Sequence, residues 1–347
     1  MMKKIILCGS YGAGNVGDEA ILRSLLQSVQ KEFKEASITV LCSFPNEEKK
    51  YYSAEFPDVT FEWLFPGGLR SFLLLLLSGK VFKTLKSVRS ANLFILGGGG
   101  LFTDDESIKA VVLWAMQVFI AKLLKVSVRV VAVSVGPFKG RLARFLSKKA
   151  LSMADEVSVR DNSSAKLLME MGVKNSIVKD PVFALDVKNI QDNTASVGKY
   201  IILSLRPWHS FVESSYKEIA QALDKIVEEF GFDIVFIPFQ TAPQNDVGVL
   251  NKISVHMRNK NKLFIRPHTL DIGKVYREFV GAQAVIGMRL HSVVFSIITK
   301  KPFIMIAYGD KSLGLIEWYP DYKNRILEIV DLNQLYERFK MISGEVK

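Results

Sequence analysis

An α/β protein built as two Rossmann-like domains facing a cleft is the architecture this sequence predicts, on three observations. Short apolar runs alternate with longer stretches whose apolar residues recur at three- and four-residue spacing, the periods of buried parallel strands and amphipathic helices. Glycine clusters directly follow two of those runs, at the strand ends where open parallel sheets gather ligands. A polar segment, 188–199, breaks the rhythm near mid-chain, after which it restarts. With 347 residues the chain is long enough for about two domains.

The elements follow in order. Ile5 to Cys8, Ile38 to Cys42, Leu93 to Leu96, Val128 to Val135 and Glu156 to Val159 read as strands. Between them, Glu19 to Phe33, Ala110 to Leu124 and Arg141 to Met153 read as helices. These make a first domain over 1–187, with 188–199 as linker. The second domain, 200–347, holds a strand at Tyr200 to Leu205, a helix at Lys217 to Phe230, and strands at Ile234 to Ile237, Leu263 to Ile265, Ala284 to Ile286 and Phe303 to Ile306.

Composition narrows the class. Hydrophobic residues make up 49% and charged residues 23%, which excludes disordered, collagen-like and disulfide-scaffold chains. Cys8 and Cys42 lie inside strand runs and read as buried residues of a reduced, cytoplasmic protein. The four histidines show no metal-ligand spacing with them, so no metal is expected. The longest uninterrupted apolar run, Phe72 to Leu77, is six residues, and the first strand begins at once after Lys3-Lys4. No membrane-spanning helix or signal peptide is expected. A formal net charge of +11 favours anionic partners.

Candidate site residues cluster after the strands. Gly12, Gly14 and Gly17 match the spacing of a dinucleotide fingerprint, but the second strand ends Leu41-Cys42-Ser43-Phe44 with no acidic residue for a ribose. Asp18 would repel a pyrophosphate there; it reads either as a helix N-cap or as a catalytic carboxylate. Gly97, Gly98, Gly99 and Gly100 follow a buried strand, where so much glycine signals backbone contact with a substrate. Arg160, Arg206 and Arg289 stand at strand exits, and guanidinium suits carboxylate and phosphate. Gln240 and Asp246 follow another strand, and His291 stands where a helix Ser292 to Ile298 begins, a position for an acid/base group.

Together these segments resemble the polysaccharide pyruvyltransferase family, most closely its bacterial cell-wall polymer members. The matching stretches are Gly12 to Ala20, Gly97 to Phe102, Ser134 to Pro137, Ser158 to Asp161, Asp180-Pro181, Leu205 to Trp208, Gly287 to Ser292 and Tyr308 to Lys311. The resemblance implies a glycosyltransferase-B-like architecture, an acceptor-side first domain and a donor-side second. It implies transfer of pyruvate from phosphoenolpyruvate, as co-substrate, to two sugar hydroxyls, without a further cofactor. It makes His291 the acid/base residue, with Asp18 and Lys311 tied to activity. Arg289 and Leu290 fall in the donor-binding motif, joined by Arg160 or Arg206; Gly14, Asn15, Gly98, Gly99, Gly100 and Gln240 line the substrates. Gly309-Asp310 before Lys311 departs from the acidic–proline pair common in relatives.

Two other readings fit parts of the chain. A nucleotide-sugar glycosyltransferase would keep the fold, glycine loops and arginines. A polyanion-binding protein would account for the charge, although the cations are dispersed and no nucleic-acid motif occurs, so no nucleic-acid partner is expected. Finally, Gly68 to Arg89 and Lys139 to Lys149 mix apolar residues with cations, the pattern of an interfacial surface. This predicts a cytoplasmic protein peripheral to the inner membrane face, where a lipid-linked acceptor would be carried. The loops 65–69 and 240–249 are expected to choose that acceptor.

Overall fold

Lys4–Cys8 forms strand β1, and four of its five residues are buried, as a strand covered on both faces requires. The computed structural model describes residues 2–66, 76–105, 107–187 and 198–345. Its contacts divide the chain into two units: Met1–Ala13 with Asp18–Leu185, and Gly14–Gly17 with Asp186–Lys347. Gly14–Gly17 thus groups with the second unit, a division no local pattern announces. Most of the expected linker, 188–197, lies outside the described residues.

The first unit is a seven-stranded sheet in the order β3-β2-β1-β4-β5-β6-β7. After β1 come β2 (Ser37–Cys42), β3 (Thr60–Trp63), β4 (Leu93–Gly97), β5 (Ser127–Val133), β6 (Glu156–Val159) and β7 (Ser176–Ile177). All neighbours are parallel; Leu7 stands opposite Val40 on one side and Ile95 on the other. Strand order reverses between β1 and β4. Right-handed crossovers therefore put helices α1 (Val16–Glu32) and α2 (Pro45–Tyr52) on one face. They put α3 (Lys80–Arg89), α4 (Ile108–Leu123), α5 (Arg141–Met153) and α6 (Asn162–Glu170) on the other. One core joins that second face, with Val88, Trp114, Val118 and Leu151 packed on Phe94 and Val130.

Strand β5 stops at Val133, two residues before the sequence reading ends it. Its register with β6 shifts between Val130 and Val133, and Ala132 takes φ +52°, the geometry of a bulge. Ser158 repairs the ladder: its Oγ accepts from Ala132 N at 3.1 Å and donates to Val130 O at 3.3 Å. Ser134 then turns toward the glycine loop, its N–H donating to Gly99 O at 2.9 Å.

The second unit is a six-stranded sheet in the order β10-β9-β8-β11-β12-β13, also parallel. Its strands are β8 (Tyr200–Ser204), β9 (Asp233–Phe236), β10 (Leu263–Ile265), β11 (Ala284–Gly287), β12 (Phe303–Ala307) and β13 (Ile326–Glu328). The order reverses between β8 and β11, where Ser204 pairs with Gly287. Helix α7 (Glu213–Phe230) buries Ile219, Leu223 and Ile226 against this sheet and stops at Gly231 with φ +69°, a glycine C-cap. Helices α8 (Asp246–Ser254), α9 (Ile272–Gly281), α10 (Leu290–Ile298), α11 (Asp310–Glu317) and α12 (Leu335–Ser343) complete the unit.

Cys8 and Cys42 are both buried and free, and burial pushes both thiols up. No described helix is long and apolar enough to cross a membrane.

Candidate active site

Each unit carries candidate residues at its own reversal of strand order, so each half is described by itself.

In the second unit, Arg289 leaves β11 at the N-cap position of α10. That helix starts at Leu290, half-buried, which puts His291 inside its first turn rather than ahead of it. The Arg289 guanidinium meets Asp246 with two nitrogens, Nε to Oδ2 at 3.1 Å and Nη2 to Oδ1, while Nη1 donates to Gln240 Oε1 at 3.3 Å. Asp246 is fully buried. Its Oδ2 also accepts from Phe239 N and Gln240 N, both at 3.0 Å, so one carboxylate pins the loop after β9 and the arginine before α10. A buried guanidinium requires such a counter-ion. Arg289 is therefore engaged by Asp246 rather than presented as an isolated anion receptor.

Gly14–Gly17 joins this half. Val16 N donates to Phe239 O at 3.0 Å, and Asn15 Nδ2 reaches Gln240 Oε1 at 3.4 Å. Asn15 Oδ1 accepts from Gly17 N at 2.8 Å, which makes Asn15 the cap of α1. Asp18 is thus in the first turn, not at the cap that one reading gave it. Gly17 packs on the catalytic candidate: a Cβ there would stand 2.1 Å from His291 Nδ1.

Arg206 follows β8. Its Cζ lies 5.4 Å from the Trp208 ring centroid and 5.1 Å from that of Tyr308, with Nη1 3.3 Å from Tyr308 Oη. Trp208 and Tyr308 are 4.6 Å apart, centroid to centroid. The two rings orient the guanidinium by cation–π attraction. Both aromatics lie inside the motifs Leu205 to Trp208 and Tyr308 to Lys311, whose local pattern carries no sign of this stacking. Lys311 lies in the first turn of α11; its side chain is outside the described ones.

In the first unit, Gly98 and Gly99 take φ of +71° and +81°, and a Cβ on Gly98 would stand 2.1 Å from Ile21 Cγ2. Only glycine fits. A Cβ on Gly99 would stand 3.3 Å from Asp18 Oδ1, so Asp18 and the glycine loop, both chosen from sequence, meet. Gly100 is exposed beside them. Arg160 is elsewhere engaged: Nη1 pairs with Asp180 Oδ2 at 2.6 Å and Nε donates to Ser134 Oγ at 2.9 Å. Ser134 in turn donates to Asp161 at 2.7 Å. Sequence reading grouped three arginines as anion receptors; two of them are ion-paired to buried aspartates.

Sequence reading also passed over Glu19. It is buried in α1, accepting from Gly12 N at 2.8 Å and Tyr52 Oη at 2.9 Å. Burial, and then Glu48 beside it, push its carboxyl well above the ordinary range. It supports the first glycine loop from behind. Of the loops expected to choose an acceptor, 240–249 is the one pinned by Asp246. In the other, Phe65 is buried with its carbonyl accepting from Gln117 Nε2 at 2.8 Å, while 67–69 lie outside the described residues.

Volume alone does not find the site. A groove of about 850 Å³ in the first unit, lined by Arg129, Ser158 and Lys174 among others, includes neither Asp18 nor the Gly97–Gly100 loop. Among the described residues, no group of histidine, cysteine and carboxylate side chains could hold a metal ion.

Two parallel-sheet α/β units with loops at their strand-order reversals are the parts of a glycosyltransferase-B-like fold. The fold is similar to S. aureus MnaA solved with UDP (TM-score 0.66, 12% identity, 99% of this chain and 88% of that one). It is similar also to the Methanocaldococcus jannaschii UDP-GlcNAc 2-epimerase solved with UDP-GlcNAc and UDP (TM-score 0.63, 14% identity, 98% and 92%). Sequence then assigns the family: residues 15–310 match the polysaccharide pyruvyl transferase family, and the chain belongs to it. The chain is 23% identical to the amylovoran biosynthesis protein AmsJ of Erwinia amylovora over 398 aligned residues, covering 99% of this chain and 94% of AmsJ.

Proposed function

We propose that this transferase moves pyruvate from phosphoenolpyruvate onto two hydroxyls of one sugar in a cell-wall or exopolysaccharide precursor, releasing phosphate. The observation that carries the reading is the support around His291. Gly17 packs on the imidazole, and the Asp246–Arg289 pair anchors the start of its helix. A proton donor needs that kind of fixed geometry.

His291 gives a proton to the methylene carbon of phosphoenolpyruvate, making the adjacent carbon electrophilic. One sugar oxygen bonds to that carbon and gives up its proton to a base, for which Asp18 is the candidate. The carbon–oxygen bond to phosphate breaks, and phosphate leaves with the electron pair. The neighbouring sugar oxygen bonds next and gives its proton to His291, which closes the ketal and restores the donor, while the proton taken by Asp18 leaves on phosphate. Arg206, held between Trp208 and Tyr308, is the candidate for the donor's anionic groups, with Arg289 and Leu290 beside it and Lys311 for the departing phosphate. Arg160, paired with Asp180, supports the first-unit loops instead. Gly14, Asn15, Gly98, Gly99, Gly100 and Gln240 supply backbone and amide contacts. The acceptor is lipid-linked, and the enzyme works at the inner membrane face.

The test incubates the protein with phosphoenolpyruvate and a panel of lipid-linked and synthetic disaccharides. Phosphate release together with a product carrying one ketal-linked pyruvyl group is expected. Phosphate release without sugar modification would overturn the proposal.

A second reading, nucleotide-sugar-dependent glycosyl transfer, has one observation in its favour: solved proteins of similar fold hold UDP or a UDP-sugar. Thermal shift separates the two, since a ligand stabilises the state that binds it. Stabilisation by a uridine or guanosine diphosphate sugar, with none by phosphoenolpyruvate, would favour the second.

A further inference from the structure

We infer that the α3–α4–α5 layer of the first unit is a docking surface for an anionic phospholipid bilayer. The inference rests on the proposed lipid-linked acceptor for its purpose; the surface itself stands on three observations.

The first is topological. The crossovers β3→β4, β4→β5 and β5→β6 all run in one direction along the sheet, so the three helices lie side by side on one face. They share one core. Whatever they display outward is displayed together.

The second is charge. None of the three helical sequences contains an aspartate or glutamate. Lysine or arginine recurs through α3 at Lys80, Lys83, Lys86 and Arg89, and through α5 at Arg141, Arg144, Lys148 and Lys149. All eight residues are exposed. Flanking elements supply counter-charges to some of them: Glu62 lies 3.5 Å from Lys83, and Glu170 4.0 Å from Arg144. Solvent screens exposed pairs of that kind, and they leave the helices' own excess in place.

The third is apolar exposure, which the charge alone does not explain. Helix α4 is apolar on its outer side as well as its inner one: Ile108, Val112 and Leu123 reach solvent, Leu123 being 81% exposed. On α5, Leu142, Phe145 and Met153 form one exposed stripe along the helix, with Phe145 at 54%, and Lys149 lies over the Phe145 ring. On α3, Phe82 is 62% exposed among the lysines. A phosphodiester chain or soluble acidic polymer would engage the cations and leave these side chains in water. A bilayer takes both, cations at the headgroups and apolar side chains at the acyl boundary.

The expected interfacial segment Gly68–Arg89 is described only in part. Residues 67–75 lie outside those described, and helix α3 begins only after Gly79, which takes φ +71°. Within the described part of that segment, Leu77 and Phe82 are exposed.

The test is co-sedimentation of the full chain with phosphatidylcholine vesicles and with vesicles of phosphatidylcholine and phosphatidylglycerol. Binding is expected only to the second, weakening as salt rises. Each cation near an anionic surface is worth about 1 kcal/mol, so Lys148→Ala with Lys149→Ala lowers the partition coefficient about thirtyfold. Phe145→Ser lowers it as well, and neither variant changes turnover on a soluble disaccharide. No binding to anionic vesicles at low salt, or equal binding to both kinds, would overturn the surface. Release by a soluble polyanion, with Phe145→Ser binding unchanged, would make it a polymer-binding face and overturn it too. Vesicle binding without transferase activity would sustain the surface and sink the proposed reaction; activity without vesicle binding would do the reverse.

Discussion

Gly17 lies against the imidazole of His291, so closely that a Cβ at position 17 would stand 2.1 Å from Nδ1. Two glycine-dependent features therefore meet at one point, the turn that opens α1 and the seat of the proposed proton donor. In Gly17→Ala the imidazole must move. Turnover is expected to fall about a hundredfold, as misplacing a catalytic group by about 1 Å does, with little change in the KM for phosphoenolpyruvate. Steady-state kinetics beside a thermal melt check it; a full-activity variant would remove Gly17 from the site.

His291→Gln keeps a polar side chain of similar reach but cannot cycle a proton. A loss of about 10²–10⁴ in kcat is expected, with a melting temperature near wild type. Near-normal turnover in the folded variant would show that another group moves the proton.

Arg206→Lys replaces a planar fork between two rings with a point charge. The KM for phosphoenolpyruvate is expected to rise about tenfold or more, with a smaller effect on kcat. Tyr308→Phe, which removes the Oη beside Nη1, should act in the same direction and more weakly. An unchanged KM in both would move donor binding away from Arg206.

Asp246→Asn leaves Arg289 buried without its counter-ion. Breaking such a pair costs about 3–5 kcal/mol, readable in urea unfolding. Adding Arg289→Met should cost less than the two single changes together, because the stranded charge is then gone. Strict additivity would mean that the two side chains do not depend on each other.

Glu19 predicts a pH dependence. Its carboxyl is held well above the ordinary range, by burial first and then by Glu48, against the opposing pull of Gly12 N–H and Tyr52 Oη. A carboxyl that holds its proton more tightly when folded adds stability that is complete below its unfolded pKa. That stability is lost as pH rises toward the folded value, at up to about 1.4 kcal/mol per pH unit for one proton. Wild type should therefore lose melting temperature as pH rises above the ordinary glutamate range, and Glu19→Gln should flatten the curve. Parallel curves for the two proteins would refute the assignment.

What could be read from the sequence follows from distance along the chain. Apolar runs such as Ile5–Cys8 and Leu93–Leu96 are buried on both faces wherever the sheet puts them, so local pattern suffices. The places of the Gly97–Gly100 loop and of His291 could be located because each lies within a few residues of a strand end. Thr60–Trp63, Ser176–Ile177 and Ile326–Glu328 were missed because short edge strands, half-exposed or mixed in character, carry little signal.

The chain's sequence by itself determined the alternation of strand and helix, the strand-exit glycines and the motifs that mark the family. Only the tertiary structure decided which polar and charged side chains engage each other. Arg160 meets Asp180 from 20 residues away, Arg289 meets Asp246 from 43, and Asn15 meets Gln240 from 225. The reason is physical: a buried charge must find a partner, but burial is a property of the assembled sheet. Sequence names the residues able to carry charge; packing decides which of them answer each other.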